Sequence, residues 1–328
     1  MRLWDIYHSN IPDFLLEAEQ TTAVQRLRDV GMNCGCEYTG FPLFEKLEHY
    51  SRYDHSMGVA LILWHFTGNT EQAMSGLLHD IATPVFAHVV DFLRGDHLKQ
   101  ESTEDGTEAL IVSDKALCAV LAKHGLTIDS VSDYHRYPVA DNDSPRLCAD
   151  RLEYTLGNAV NYGILAREQV KALYTDLTVG RNEFGEPELM FQSRDEAHSF
   201  AQAALACSGI YVSDADRYAM ESLALLLKEA ITRGILTEAD LHLQEQPVIQ
   251  KLKASALSSR WEQFCGYRQI IRRDTPGNEG LWLQVFAKKR CIDPYIKGIG
   301  RISQISPAFS QQLRAFRESR QDHWLMAK

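Results

Sequence analysis

Four residues of the kinds that bind divalent metals lie in three separate helix-like segments of this chain. His55 lies in the first segment and the adjacent pair His79 and Asp80 in the second. Asp150 lies in the third. Two imidazoles and two carboxylates suit a divalent cation that keeps positions open for water and substrate. If they hold one ion, three helices must pack together, so the sequence predicts a helical bundle around a metal site.

The spacing of these residues agrees with a bundle. The 24 residues from His55 to His79 are enough for two antiparallel helices and a turn, and Asp150 follows Asp80 by 70 residues. Each residue alone has a simpler explanation: a core histidine, a solvated helix end, or an aspartate paired with Arg52 or Arg151. The combination favours metal binding over these alternatives.

Composition narrows the class of protein. The 328 residues are 45% apolar and 24% charged, as in a globular protein of one large or two modest domains. A net charge of −10 argues against a nucleic-acid partner but not against a small phosphorylated substrate. Seven cysteines without C-x-x-C spacing indicate reduced thiols, and no apolar run is long enough to cross a membrane. We therefore expect a cytoplasmic protein.

Periodicity predicts a mainly α fold with small β additions toward the C-terminus. Predicted helices cover residues 21–30, 51–66, 70–80, 85–93, 103–111, 114–123, 145–163, 194–212 and 215–233, a short helix capped by Thr237, one after Pro247 and one after Pro307. Thr70 is expected to cap the third helix with its hydroxyl, and Pro84 to allow the fourth to begin. A hairpin is predicted at 177–191, and strands at 267–273 and 281–288 are expected to be joined by a turn. We expect a core of residues 1–175 and an extension of residues 176–328, packed as one unit.

Several of these segments resemble the HD-domain superfamily of metal-dependent phosphohydrolases, and most closely the deoxynucleoside triphosphate triphosphohydrolase branch. The resemblance covers roughly residues 20–165, with a weaker likeness at 289–294. The matching segments are Gln25-Arg26-Leu27-Arg28, Arg52-Tyr53-Asp54-His55-Ser56-Met57-Gly58-Val59, Leu77-Leu78-His79-Asp80-Ile81, Phe86-Ala87-His88 and Asp150-Arg151-Leu152-Glu153-Tyr154. It implies an HD-type helical bundle, a bound divalent metal and, as in many relatives, a homo-oligomer.

Further site residues follow from the resemblance and from position. His88 corresponds to a histidine beside the scissile phosphate, a candidate general acid or base, and Asp91 one turn later can orient it. Arg52, one turn before His55, offers a cationic fork to a phosphate, unless it pairs with Asp54 or another acid. The resemblance implies that Arg151 contacts phosphate and that Tyr154 lies near a sugar.

The chain also departs from the triphosphohydrolase pattern. Thr83 replaces a second histidine, and a His-Glu pair is reduced to Gln100-Glu101, which keeps Glu101 as a catalytic candidate. Asn158 replaces an aspartate near the sugar 3′-hydroxyl. The predicted metal ligands are thus complete, while part of the triphosphate-processing apparatus is altered.

We therefore expect a metal-dependent phosphohydrolase that uses Mn, Fe, Zn, Ni, Co or Mg. Its substrate is expected to be a nucleotide or similar phosphoester, with a deoxynucleoside triphosphate first among them. A phosphomonoesterase, a cyclic-nucleotide phosphodiesterase and a non-catalytic metal- or nucleotide-binding module remain alternatives. His124 and His135 lie in a polar segment and are expected to be solvated rather than to hold a second metal.

Overall fold

The computed structural model describes residues 2–95 and 106–328. The predicted mainly α architecture is confirmed. The α-helices are α1 (Trp4–Tyr7), α2 (Asp13–Ala18), α3 (Thr22–Arg26), α4 (Arg52–Thr67), α5 (Thr70–Leu78), α6 (Val89–Arg94), α7 (Thr107–Ser113), α8 (Lys115–Lys123), α9 (Ile128–Val131), α10 (Ala149–Asn161), α11 (Arg167–Thr175), α12 (Arg194–Tyr211), α13 (Asp214–Thr232), α14 (Glu245–Lys253), α15 (Ser258–Cys265), α16 (Ile302–Ile305) and α17 (Pro307–Glu318).

Seven short strands in the described residues form two small sheets. The strands are β1 (Leu177–Arg181), β2 (Pro187–Phe191), β3 (Ile270–Arg273), β4 (Leu283–Gln284), β5 (Tyr295–Ile296), β6 (Gly300–Arg301) and β7 (Trp324–Ala327). One sheet has the order β1-β2-β5-β6 and the other has the order β3-β7-β4. The predicted hairpin is the antiparallel pair β1–β2, with Leu177 opposite Phe191.

Helix α4 is the centre of the fold and packs against α5 and α10. It begins with a capping box, in which the Ser51 side chain accepts from the Asp54 backbone N–H while the Asp54 carboxylate accepts from the Ser51 backbone N–H. It ends at Gly68, whose φ of 59° suits a residue without Cβ. All residues from Arg52 to Leu63 are buried, so α4 is covered on every side up to its last turn, where His65 is exposed. That burial brings His55 into the interior rather than to the surface.

Side chains of the C-terminal half pack directly onto the N-terminal half. The Glu245 carboxylate, at the start of α14, accepts from the backbone N–H groups of Gly31 (2.8 Å) and Phe86 (3.2 Å) and from the Tyr38 hydroxyl (2.7 Å). Helix α13 packs against α6. These contacts are compatible with one packed unit, while the predicted boundary at residue 175 stays a prediction.

Three predicted features were wrong in detail. Asn69, not Thr70, caps α5 by accepting from the Gln72 N–H. The helix expected at 85–93 begins only at Val89, because Phe86 (φ 58°) and Ala87 (φ 45°) adopt left-handed backbone conformations that an α-helix excludes. The backbone before Val89 forms tertiary hydrogen bonds instead of helical ones: the Val85 N–H donates to the Leu241 carbonyl at 2.8 Å.

The expected pairing of the strands at 267–273 and 281–288 was also wrong. Strand β7, at the C-terminus, lies between β3 and β4 and pairs antiparallel with both.

The candidate residue Glu101 and its neighbour Gln100 lie outside the described residues. In the part of the chain that is described, none of the helices has both the length and the apolar character that a bilayer-spanning segment requires.

Candidate metal centre and active site

The four predicted metal ligands lie on the wall of one cavity of about 770 Å³. His55 comes from α4, His79 directly follows α5 with Asp80 next to it, and Asp150 comes from the first turn of α10. The cavity is also lined by the predicted residues Arg52, His88, Arg151, Tyr154 and Asn158. Nine of the ten predicted site residues that the structure describes thus line one cavity, and the tenth, Asp91, lies behind His88.

The ligand atoms of His55, His79 and Asp80 all lie within 4.8 Å of one another, and Asp150 contacts both imidazoles. Asp150 Oδ1 lies 3.0 Å from His55 Nε2 and 3.7 Å from His79 Nε2. Asp80 Oδ2 lies 3.8 Å from His55 Nε2 and 3.5 Å from His79 Nε2. Metal–ligand bonds of roughly 2.1 Å place neighbouring ligand atoms about 3.0 to 3.4 Å apart. The cluster therefore has the donor types and nearly the spacing of a divalent-metal site.

Both imidazoles are oriented by a contact at the nitrogen facing away from the cluster. His55 Nδ1 lies 2.6 Å from Glu153 Oε2, and His79 Nδ1 lies 2.7 Å from the Gly76 carbonyl oxygen. These acceptors fix the tautomer that presents a lone pair on Nε2 to a cation. Glu153 itself is 2% exposed and also accepts from the Tyr50 hydroxyl.

The carboxyls of the cluster are ionised. Burial alone raises the pKa of Asp80, but Arg52, His79 and His55 outweigh it and hold the pKa well below its usual range. Burial likewise opposes ionisation of Asp150, yet the hydrogen bond from His55 lowers its pKa to about 2. Burial disfavours a charged His55, but Asp150 and Glu153 raise the pKa of His55 to about 10. A cation that binds here replaces that proton.

Arg52 supports the cluster and also faces the cavity. Its Nη1 donates to Asp80 Oδ2 at 2.9 Å, so the pairing partner is Asp80 rather than Asp54. Asp80 Oδ1 accepts from the Thr83 hydroxyl at 2.8 Å. Thr83 thus holds a metal-ligand candidate in place. Arg52 Nε is buried and makes no hydrogen bond with the described residues.

His88 lies just before α6 at the side of the cavity. Its Nδ1 is 2.9 Å from Asp91 Oδ2, and Arg290 Nη2 is 3.4 Å from its Nε2. Burial, together with the charges of Arg290 and Arg52, lowers the pKa of His88 despite the opposing effect of Asp91. The imidazole is therefore neutral at neutral pH, with its Nε2 lone pair toward Arg290 and the cavity.

The remaining predicted residues lie farther along the cavity. The Arg151 guanidinium contacts Asp141 Oδ1 (3.2 Å) and Asn142 Oδ1 (2.6 Å). The Tyr154 ring packs edge-to-face on Tyr211. Asn158 Nδ2 donates to the Tyr211 hydroxyl at 2.8 Å, while Asn158 Oδ1 is buried and without a partner among the described residues.

His124 and His135 do not meet at a second cluster. His124 Nε2 contacts Glu17 (3.2 Å), whereas His135 Nδ1 contacts Asp141 (2.8 Å) and lines the cavity. Asp141 also forms a close group with Cys148 and Asp150. Burial raises the pKa of the Cys148 thiol, and Arg151 already pairs with Asp141.

Glu153 and Arg290 are the two site residues whose roles sequence reasoning missed. Their partners are 98 and 202 residues away in the chain, so no local pattern connects them to His55 and His88. The available signals were weak: an acidic residue three positions after Asp150, on the same helix, and a basic residue in the 289–294 segment.

Comparisons with known proteins agree with this architecture. The chain is 28% identical over 260 residues to the uncharacterized protein YdhJ of Bacillus subtilis, covering 78% of this chain and 76% of that protein. It is 25% identical over 322 residues to the metal-dependent phosphohydrolase cns2 of Cordyceps militaris, and the match covers 94% of this chain and 89% of that protein. No protein-family model matches the chain.

A solved structure shares the fold. The crystal structure of a phosphohydrolase from Bacteroides thetaiotaomicron superposes with a TM-score of 0.63 at 15% identity, and the match covers 97% of this chain and 96% of that one. The helical architecture described here is therefore one that a known protein adopts over its whole length.

Proposed function

We propose that this protein is a metal-dependent phosphohydrolase of the HD-domain type. The observation that carries the proposal is the cluster of His55, His79, Asp80 and Asp150, with both imidazoles oriented, on the wall of a cavity that also contains Arg52 and His88. The name of the Cordyceps relative and that of the Bacteroides structure support the same class of reaction. The four cluster residues would hold the cation.

Each residue around the cluster has a chemical task in this proposal. When bound, a divalent cation supplies Lewis acidity toward a phosphoryl oxygen and toward water. Arg52 and Arg290, both on the cavity wall, offset the negative charge of the phosphoryl group. Neutral His88 accepts a proton at Nε2, and Asp91 is a positioning residue that holds the opposite nitrogen. The lowered pKa of His88 favours the general base over the general acid.

The proposed substrate is a nucleotide or similar phosphoester, and a deoxynucleoside triphosphate is the first to test. One observation favours a phosphomonoester as the second candidate. The guanidinium groups of Arg151 and Arg146, on the cavity wall, pair with Asp141 and with Asp143 and Glu186. Because these carboxylates neutralise the two arginines, fewer cations are available for a long polyphosphate.

The experiment is a metal-by-substrate panel on the purified protein. Nucleoside mono-, di- and triphosphates are incubated with Mn²⁺, Co²⁺, Mg²⁺ or Ni²⁺, and phosphate, pyrophosphate and triphosphate are separated by chromatography. We expect metal-dependent release of one of these products, and loss of release in the double variant His79→Ala with Asp80→Ala. The surface variant Glu318→Gln is the matched control. Activity that survives the double change contradicts the proposal.

The same panel separates an enzyme from a binding module. Thermal stabilisation by a nucleotide without product, across every metal, would favour a non-catalytic module. The homo-oligomer and the cytoplasmic location stay predictions that this panel does not address.

A further inference from the structure

The cavity extends well beyond the metal cluster, along helix α10. Asp150, Tyr154 and Asn158 follow one another at four-residue spacing, so they lie on one side of the helix, and all three line the cavity. A rise of 1.5 Å per residue puts Asn158 roughly 12 Å from Asp150 along the axis. Tyr162, which follows α10, and Asp216 of α13 also line the cavity.

Asp216 is a buried acid without a basic partner. Its side chain is 8% exposed, and among the described residues its one hydrogen-bond contact is the Cys36 thiol, 3.7 Å from Oδ2. The nearby Arg217 is turned away, with its guanidinium on Asp214 and on the carbonyls of Val212 and Val285. Burial raises the pKa of Asp216 to about 8, so at neutral pH the group is largely an uncharged acid that can donate one hydrogen bond and accept another.

Asp216 has no evident structural task that would explain its burial. The Ser213 hydroxyl, not the Asp216 carboxyl, caps α13, and it does so by accepting from the Asp216 backbone N–H at 3.2 Å. Buried polar groups normally find partners within the fold. A carboxyl that faces a cavity with only a thiol beside it is suited to a partner that enters the cavity.

Asn158 lies on the wall of the same cavity, one helical turn after Tyr154. Its Nδ2 donates to the Tyr211 hydroxyl, which fixes the amide, and its Oδ1 is buried without a partner in the described part of the chain. Because Oδ1 is closed off from the cavity, Asn158 shapes the wall and Asp216 is the group that offers a hydrogen bond.

The walls between these groups are aromatic and apolar. Tyr154, Tyr162, Tyr211, Met32 and Met220 line the cavity together with Asp216 and Asn158. Flat rings and thioethers favour a planar ligand. The Arg217 guanidinium near Asp216 is already paired with Asp214. The favoured ligand at this end is therefore uncharged and polar.

We propose that Asp216 determines specificity by hydrogen-bonding the leaving group of the phosphoester, and that this group is a nucleoside-like ring system. The inference rests on the proposed phosphohydrolase function. The phosphoryl group would bind at the cluster of predicted metal ligands and the ring system would lie along α10 beside Asn158, with Asp216 as its hydrogen-bond partner. Neither residue takes part in bond cleavage.

The test compares two substrates in three proteins: wild type, Asp216→Asn and Asp216→Leu. One substrate is the best nucleotide of the panel and the other is phenyl phosphate, whose phenyl ring carries no hydrogen-bonding group for Asp216. We expect Asp216→Leu to lower kcat/KM for the nucleotide by about tenfold or more, mainly through KM. For phenyl phosphate we expect a change of less than about twofold. Asp216→Asn keeps a donor and an acceptor and is expected to fall between.

Two outcomes overturn the inference. One is an equal loss on both substrates in Asp216→Leu, which indicates a structural role for Asp216. The other is unchanged nucleotide kinetics in Asp216→Leu. Thermal unfolding of each variant, measured alongside, identifies a folding defect, and in that case Asp216→Asn alone provides the comparison.

Failure of the phosphohydrolase proposal gives a different result, in which wild type hydrolyses neither substrate. Calorimetric titration of wild type with the common nucleosides then decides the inference by itself. Binding that weakens by about tenfold in Asp216→Leu supports the recognition site. No binding of any nucleoside to wild type overturns it.

Discussion

His55 has both ring nitrogens in contact with carboxylates, and the two contacts have different tasks. Nε2 faces Asp150 in the cluster, whereas Nδ1 lies 2.6 Å from Glu153, which in turn accepts from Tyr50. Glu153 is therefore a positioning residue that fixes the tautomer and ring angle of His55. Metal affinity should depend on it although it is not itself a ligand.

Replacing Glu153 with Gln tests this dependence. The amide keeps the size of the side chain but loses its negative charge, so we expect metal affinity to fall by roughly 10- to 100-fold. The measurement is competition for Mn²⁺ or Zn²⁺ against a chromophoric chelator, with Glu318→Gln on the surface as control. Wild-type affinity in Glu153→Gln would show that His55 needs no such support.

The neutral state of His88 gives a pH prediction with a definite sign. Burial and the charge of Arg290 lower the pKa of His88, and a general base acts only when neutral. Activity is therefore lost as pH falls through that pKa. Replacing Arg290 with Met removes a cation and raises the pKa, so the acidic limb of kcat/KM should move to higher pH, whereas Arg290→Lys should leave it near its original position.

The NMR titration of the His88 ring proton measures the same pKa without substrate. It should show the same upward shift in Arg290→Met. If the acidic limb of kcat/KM stays in place or moves to lower pH in Arg290→Met, that limb does not report the ionisation of His88. His88 would then be excluded as the general base.

Sequence indicated which residues would lie together where their chemistry is distinctive. His55, His79, Asp80 and Asp150 stand out as two imidazoles and two carboxylates within helical patterns, and the structure brings them to one cavity, while their role as metal ligands stays a prediction. The residues that orient the site side chains or shift their pKa values could not be predicted from sequence. A contact such as that of Arg290 with His88 depends on tertiary packing between residues 202 positions apart.

At the scale of elements, long periodic helices were predicted well and non-local pairings were not. The predicted helices at 194–212 and 215–233 match α12 and α13 within one residue at each end. Strand β7 was missed because its partners, β3 and β4, lie far from it in sequence and its four residues carry no pattern of their own. The prediction that a helix begins at residue 85 was wrong because tertiary contacts hold Phe86 in a left-handed conformation.

The packing of α10 on α4 depends on a glycine. A Cβ at Gly58 would lie 2.6 Å from Glu153 Oε1 and 2.7 Å from its Cγ. Gly58→Ala should therefore displace Glu153 and lower the free energy of unfolding by roughly 1 to 3 kcal/mol. Chemical denaturation measures the loss, and metal affinity should fall with it.

Gly209 is the matched control because it also lies inside a helix, α12, but has open space where its Cβ would be. There we expect Gly209→Ala to stabilise the protein by roughly 0.5 to 1 kcal/mol, since alanine is the better helix former. Equal effects of the two substitutions would mean that close approach at Gly58 is unimportant.

At the scale of the whole molecule, the C-terminal sheet supports the start of α10. Arg301 of β6 forms ion pairs with Glu188 of β2 and with Glu183. Glu188 is fully buried and also accepts from the Leu147 N–H at 3.1 Å, three residues before Asp150. This network connects residues beyond position 175 to a predicted metal ligand.

Breaking one member of that network should destabilise the protein strongly. Arg301→Met leaves Glu188 buried without its cation, so we expect a loss of about 3 to 5 kcal/mol in the free energy of unfolding. The double variant Arg301→Met with Glu188→Gln should lose less than the single variant, because no uncompensated charge remains. A double variant that is as unstable as the single one would show that packing, not charge, dominates there.

The most direct test of the account is a crystal of the protein grown with Mn²⁺ and measured for anomalous scattering. We expect one strong anomalous peak bonded to His55 Nε2, His79 Nε2 and the carboxylates of Asp80 and Asp150. Absence of a peak among these four side chains, in crystals shown to contain the metal elsewhere, would contradict the metal centre and the phosphohydrolase function proposed from it.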